Sequence, residues 1–296
     1  MTSPSDRWSR WLLERRDGGD ARQREATLAR LRGIRDRVLE RAEPLAGATL
    51  LDVGAGDGLI GLAALDRVGP EGAVVFADVS PALLDECRGA VAAKDASDRA
   101  RFIVVDANDL EPIPSESVDV VTTRSVLIYV PDKRAAFAAM HRVLRPGGRI
   151  SLFEPINRLM YPEPEGRFCG CDMSAVAGLA TKVNAALTEL PDGTDYRGAM
   201  MDFDDRDLAD HAAAVGFTRI HVECHIDIEP GSEMHATSLD ALLDSAPNPN
   251  APTMREAIES ALTPAEQERF VAELGRAMNA GTAVSKMAAA YVLAQK

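Results

Sequence analysis

The sequence has no apolar run near the length of a bilayer span, and its N-terminus lacks the apolar stretch and small-residue site of a secretory leader. Neither an integral membrane protein nor an exported one is expected. It also lacks C-x-x-C pairs: its four cysteines, Cys87, Cys169, Cys171 and Cys224, are scattered. No zinc spacing fits them, and a cytoplasmic, reducing location is the simplest expectation. Positive charge is scarce, with 33 Lys and Arg against 46 Asp and Glu, a net −13. Such a surface repels phosphate backbones, so no nucleic-acid partner is expected. The one arginine-rich stretch, 7–41, is interleaved with acids and reads as a solvated helix face. Internal repeats are missing too, and the only Pro/Asn-rich break is Ala246-Pro247-Asn248-Pro249-Asn250-Ala251-Pro252, a loop.

What is present is a core of sufficient size, with 46% hydrophobic residues in a chain of 296. Its organising stretch is Thr49-Leu50-Leu51-Asp52-Val53-Gly54-Ala55-Gly56-Asp57-Gly58. A short apolar run reads as a buried strand, alternating glycines break it, and Leu59 to Leu65 resume with helical spacing. Glycine lets the backbone turn sharply and approach a ligand, and the first N–H groups of a helix add positive potential. The dinucleotide fingerprint G-x-G-x-x-G would need glycine at 59, where leucine stands.

Around this corner the pattern is regular. Strands are expected at 49–53, 73–77, 101–105, 118–122 and 148–153, with helices near 59–67, 81–94 and 132–144. Alternation of this kind argues for a parallel sheet covered on both faces. Ser80-Pro81 and Pro131-Asp132 are helix starts, and Arg145-Pro146-Gly147-Gly148 is a stop and turn. Two helices are expected within 5–43, split at Asp17-Gly18-Gly19-Asp20. Residues 155–200 carry one helical stretch, Ser174 to Glu189, among prolines that include Pro191. A helix at 204–215, an alternating strand at 217–228, a mostly helical segment to 281 and a closing strand, Lys286 to Leu293, complete the chain. In the 217–228 strand Val222, Cys224, Ile226 and Ile228 share the face expected to be buried.

The G-x-G-x-G loop after Asp52, the acid Asp78 twenty residues beyond Gly58, Asp106 after a third strand, and the run Ser117-Val118-Asp119-Val120-Val121 resemble the class I S-adenosylmethionine-dependent methyltransferases. The resemblance implies an α/β fold, a seven-stranded Rossmann-like sheet with a helical cap. It divides the chain into an N-terminal cap (1–44), a donor-binding core (45–154), an insertion over the acceptor site (155–200), a core continuation (201–229), a helical insertion (230–282) and a closing strand (283–296). It implies S-adenosylmethionine as methyl donor, a small-molecule acceptor with an oxygen, nitrogen or carbon nucleophile, and no membrane partner; it leaves room for a homodimer. The donor-binding residues it implies are Asp52, Gly54, Ala55, Gly56 and Gly58 in the loop. Asp78 and Val79 would meet the ribose, Asp106, Ala107 and Asn108 the adenine, and Arg124 and Ser125 the methionine end. Met160, Tyr161, Phe168 and Met173 are the expected acceptor lining.

Methyl transfer needs alignment more than acid–base chemistry, so no catalytic residue is identified and no metal is implied. Glu154, Tyr129 and His235 are candidates for a base, each with a structural alternative: a salt bridge, packing under the next helix, and a surface position. Arg124 can pair with an anion of donor or acceptor, or with a surface carboxylate. Three further functions stay open: a nicotinamide-linked oxidoreductase, a binding protein without turnover, and an arsenite-type enzyme using Cys169 and Cys171.

Overall fold

The computed structural model describes residues 5–189, 197–230 and 236–296. Its centre is a seven-stranded sheet in the order β3-β2-β1-β4-β5-β9-β8. The strands are β1 (Thr49–Val53), β2 (Ala73–Asp78), β3 (Ala100–Val104), β4 (Val118–Arg124), β5 (Leu144–Pro155), β8 (Thr218–Pro230) and β9 (Val284–Gln295). Strands β6 (Arg167–Phe168) and β7 (Cys171–Asp172) form a separate small hairpin. The first five sheet strands are parallel, and β9 and β8 are antiparallel to their neighbours. The chain winds outward from β1 to β3, then returns to β4 on the other side of β1. That reversal opens a crevice at the carboxyl ends of β1 and β4, where ligands bind in such sheets.

The helices follow from local chemistry. Ser80 accepts from the Leu83 N–H at 3.1 Å and starts α4 (Pro81–Ala92). Asp132 accepts from the Ala135 N–H at 2.9 Å and starts α5 (Lys133–Val143). One face of the sheet packs Leu50, Val74, Phe76 and Val120 against α2 (Ala21–Arg41), α3 (Gly61–Val68) and α4. The other packs Leu51, Val75, Val121 and Leu152 against α5 and α8 (Asp205–Ala214).

A third core lies outside the sheet. Phe168 and Met173, with Val183 and Leu187 of α6 (Ala177–Thr188), meet Leu242 of α9 (Leu239–Asp244), Ile258 of α10 (Met254–Ala261) and Phe270 of α11 (Pro264–Asn279). The two insertions therefore form one cap. Phe168 and Met173, expected along the acceptor site, are 5% and 0% exposed inside this core. Their apolar character serves the cap's own stability.

Two other expectations change. The Arg145–Gly148 turn lies within β5, which pairs Leu144 with Val118, slips, and resumes at Arg149 opposite Val120. Cys224 is not a core residue but is exposed, as are Ile226 and Ile228, at 52% and 59%. The cause is length. α8 has 10 residues, about 15 Å, whereas β8 has 13, about 43 Å, so the helix covers only about the first third of the strand.

Candidate functional site

The glycine corner sits at the crevice. Gly54, Gly56 and Gly58 have φ of +67°, +56° and +91°, a region open to glycine and strained for other residues. The Gly54 and Ala55 N–H groups donate to Ala77 O at 2.8 and 3.0 Å, which folds the loop back onto β2. A Cβ on Gly54 would lie 2.3 Å from Val126 Cγ2, so the close approach admits no side chain.

Asp52 lies behind the loop. It is 2% exposed, its Oδ2 accepts from the Gly61 N–H at 2.9 Å, and its Oδ1 from Thr122 Oγ1 at 3.0 Å. Burial pushes its pKa up to about 7, against the pull of those two bonds. Its role is to tie the start of α3 to β4. Asp78 is tied in the same way: Oδ2 accepts from the Gly56 N–H at 2.8 Å and Oδ1 from the Ser80 N–H at 2.9 Å. Burial also raises its pKa. It couples the loop to α4 and stands at the carboxyl end of β2 beside Val79, which is 42% exposed. After the neighbouring strand β3, Asp106 is exposed and accepts from the Asn108 N–H and Nδ2 at 2.8 and 2.6 Å. Ala107 is buried, and Asn108 Oδ1 is buried with no hydrogen-bond partner.

Arg124 ends β4. Together with Leu12, Asp52, Gly54, Ala55, Gly56, Asp57, Leu59 and Ile60 it lines one cavity. Its Nη1 donates to Ser125 Oγ at 3.3 Å, and burial lowers its pKa, reinforced by the nearby Arg16 charge. No carboxylate among the described residues pairs with it directly. Ser125 has φ +56°, and its N–H donates to Phe153 O at 2.8 Å.

The N-terminal segment, which the resemblance makes part of a cap, reaches this cavity through Leu12. α1 (Arg7–Arg10) and the π-helical turn Trp11–Arg15 cross its mouth. Asp6 caps α1 and accepts from Ser80 Oγ at 2.6 Å. Trp8 meets Tyr129 edge-on at 5.0 Å, and Trp11 Nε1 donates to Ala246 O at 2.9 Å. Leu12, 7% exposed, enters the cavity, its Cδ2 3.2 Å from where a Cβ on Gly56 would stand. The segment is a strap fastened to α4, to the end of β4 and to the cap. Helical spacing alone puts Trp8, Trp11, Leu12 and Arg15 on one face; nothing local shows which surface that face meets.

The three base candidates fare differently. Glu154 is 0% exposed; its Oε1 accepts from Thr123 Oγ1 at 3.1 Å and the Val126 N–H at 3.0 Å, and Oε2 from the Ile128 N–H at 3.3 Å. Burial pushes its pKa up to about 7. It pins the turn after β4, and the salt-bridge alternative does not describe it. Tyr129 is half-buried, packed against Trp8 and the sheet core. His235 lies outside the described residues. Among those residues no cluster of His, Cys, Asp and Glu is arranged to hold a metal. Burial raises the Cys169 and Cys171 thiols, which opposes the thiolate form that arsenite needs.

These residues suit S-adenosylmethionine. The glycine cradle admits a ligand backbone-close, Asp78 and Asp106 offer carboxylate acceptors after β2 and β3, Asn108 Oδ1 is an acceptor without a partner, and Arg124 is a half-buried cation. The bound donor supplies a methyl group on a sulfonium. The chain's part is to orient it and to exclude water under the strap.

A family model described as a methyltransferase domain matches residues 50–148. Nocamycin O-methyltransferase of Saccharothrix syringae is 31% identical over 277 residues, covering 89% of each chain. An arsenite methyltransferase of Halobacterium salinarum is 35% identical over 117 residues, 40% of this chain and only 29% of its own length. The structure of geranyl diphosphate C-methyltransferase from Streptomyces coelicolor, solved with S-adenosyl-L-homocysteine, superposes with a TM-score of 0.50 at 16% identity over 89% of this chain and 75% of its own. The nicotinamide alternative gives way to this likeness. The chain belongs to the class I S-adenosylmethionine-dependent methyltransferases: it is an enzyme of that family, with S-adenosylmethionine as its methyl donor.

Proposed function

We propose that this enzyme methylates a hydroxyl or enol oxygen of a small secondary metabolite, by in-line displacement and without a dedicated general base. One observation carries the choice of acceptor. The likeness to nocamycin O-methyltransferase runs through both insertions as well as the core, covering 89% of each chain, whereas the arsenite methyltransferase covers 40% of this one. The cap is where an acceptor would be held, so likeness there bears on acceptor class; likeness in the core bears on the donor.

In this reading Asp78 and Val79 hold the ribose, Asp106, Ala107 and Asn108 the adenine, and Arg124 with Ser125 the donor's carboxylate. Gly54, Ala55, Gly56 and Gly58 pass beneath the methionine end. Met160 and Tyr161 stay as acceptor lining, since Tyr161 is 47% exposed. Rate comes from alignment, which supplies on the order of 7–11 kcal/mol once two reactants are held in line. The four free thiols fit a cytoplasmic location, and the net charge of −13 fits an acceptor that is not a nucleic acid. Self-association into a homodimer belongs to the same reading.

The test is release of S-adenosylhomocysteine with a panel of polyketide-type enols and phenols beside amines, activated carbons and arsenite. Turnover only with oxygen nucleophiles supports the reading. Turnover with amines or arsenite alone ends it. Arg124→Gln adds a check on the donor: KM for S-adenosylmethionine should rise ten-fold or more at nearly constant kcat.

A further inference from the structure

The end strand of the sheet has a property unrelated to the donor site. β8 closes the sheet order, and its outer edge pairs with no strand among the described residues. Exposed apolar edges invite pairing with another chain, and proteins usually guard them with Lys, Pro or short length. Here the exposed part carries Cys224, Ile226 and Ile228 on one face, and the strand runs 13 residues in all and meets proline only at its last position.

The order of residues along this edge is self-complementary. Ile220-His221-Val222-Glu223-Cys224-His225-Ile226-Asp227-Ile228 reads as charge-opposed and apolar-matched about Cys224. We propose that β8 pairs antiparallel with β8 of a second copy, on a two-fold axis through Cys224. In that register Glu223 stands opposite His225 of the second copy, and His221 opposite Asp227. On the other face Val222 meets Ile226, and Ile220 meets Ile228. Each pair occurs twice. Opposed charges and matched apolar side chains are what stabilise facing strands. A register centred on Ile226 would instead set Glu223 against Glu229.

The partly covered strand now has a reason. Val222 and Ile220 pack against the core beneath α8, while Ile226 and Ile228 lie beyond it. The two-fold places the uncovered end of each strand beside the covered end of the other. On the polar face, Arg37 and Arg41 of α2 already hold Glu223, and Arg37 stacks on Tyr291 at 4.4 Å. The cations thus offset the acidity of an interface between two chains of net charge −13. The strand pair is a small interface, so a micromolar dimer is expected.

Sedimentation velocity on the full chain, over a hundred-fold concentration range, tests this. Ile226→Lys should weaken the dimer at least ten-fold and leave the melting temperature unchanged when read well below the dimer's dissociation constant, because the side chain is exposed in the single chain. Asp227→Lys and His221→Glu should each weaken it, and the double variant should recover to within about three-fold of the parent. A short bis-maleimide should cross-link the chain through Cys224 and fail on Cys224→Ser. The variant Cys224→Ser with Ile228→Cys should also fail, since its thiols would stand roughly 26 Å apart. A monomer at every concentration overturns the proposal. So does a dimer that survives Ile226→Lys, or one in which the Ile228→Cys thiol cross-links as readily as Cys224.

Discussion

Glu154→Gln separates a structural carboxyl from a catalytic one. The parent side chain spends its oxygens on Thr123 Oγ1 and the N–H groups of Val126 and Ile128, inside the protein. Burial moves its pKa from 4.5 to about 7. A carboxyl raised in the folded state binds more protons there than in the unfolded chain. Its favourable share of stability is therefore whole below pH 4.5, falls as pH rises, and is gone above about 7. The displacement amounts to roughly 3 kcal/mol. Glutamine has no such cost, but its amide nitrogen must face an N–H, a loss of roughly 1–3 kcal/mol. The variant should thus be less stable than the parent at pH 4.5 by that amount, and equal to it or better at pH 8. Urea unfolding followed by tryptophan fluorescence across this range reads the difference. Asp52 titrates in the same window and is common to both proteins, so it cancels in the comparison. The pH profile of kcat/KM should be unaltered in shape. A stability difference that is flat with pH, or loss of an ionisation near 7 from kcat/KM, would refute the reasoning and return Glu154 to the acceptor.

Asp78→Asn should cost S-adenosylhomocysteine affinity roughly 1.5–3 kcal/mol, ten- to more than a hundred-fold, for a charged hydrogen bond lost. Calorimetry that finds no change would remove the ribose from Asp78. Leu12→Trp puts a larger side chain where Leu12 already reaches Gly56. It should weaken donor binding at least ten-fold with unchanged far-UV circular dichroism, and normal binding would mean that the strap does not roof the donor.

The strands, the helix starts and the glycine corner were legible because each rests on local chemistry. Ser80 and Asp132 cap in place, and Gly54, Gly56 and Gly58 take the left-handed backbone their spacing requires. Motif residues were also legible as positions, but not as roles. Asp52 and Glu154 both look like site acids in the sequence; the structure shows in addition that each ties segments together from a buried position. Whether a carboxylate points to a cavity or to a backbone N–H depends on neighbours 9 to 70 residues away. The contacts of the N-terminal segment were not legible for the same reason, since Asp6 meets Ser80 and Trp11 meets Ala246. Alternation put Cys224 on the right face of its strand and said nothing of how far α8 extends.

The two insertions share one apolar interior, built from residues 168–187 and 236–283. Neither could be exchanged alone, because a transplanted half would arrive with its greasy side bare and leave the resident half equally bare. Moved together they would travel as a cassette, fastened to the rest by ties such as Gln23 Oε1 accepting from the Thr237 N–H at 2.7 Å and Trp11 Nε1 donating to Ala246 O at 2.9 Å. Under the function proposed above, acceptor preference could then drift in evolution, or be swapped by design, while the glycine corner and its buried acids are inherited untouched.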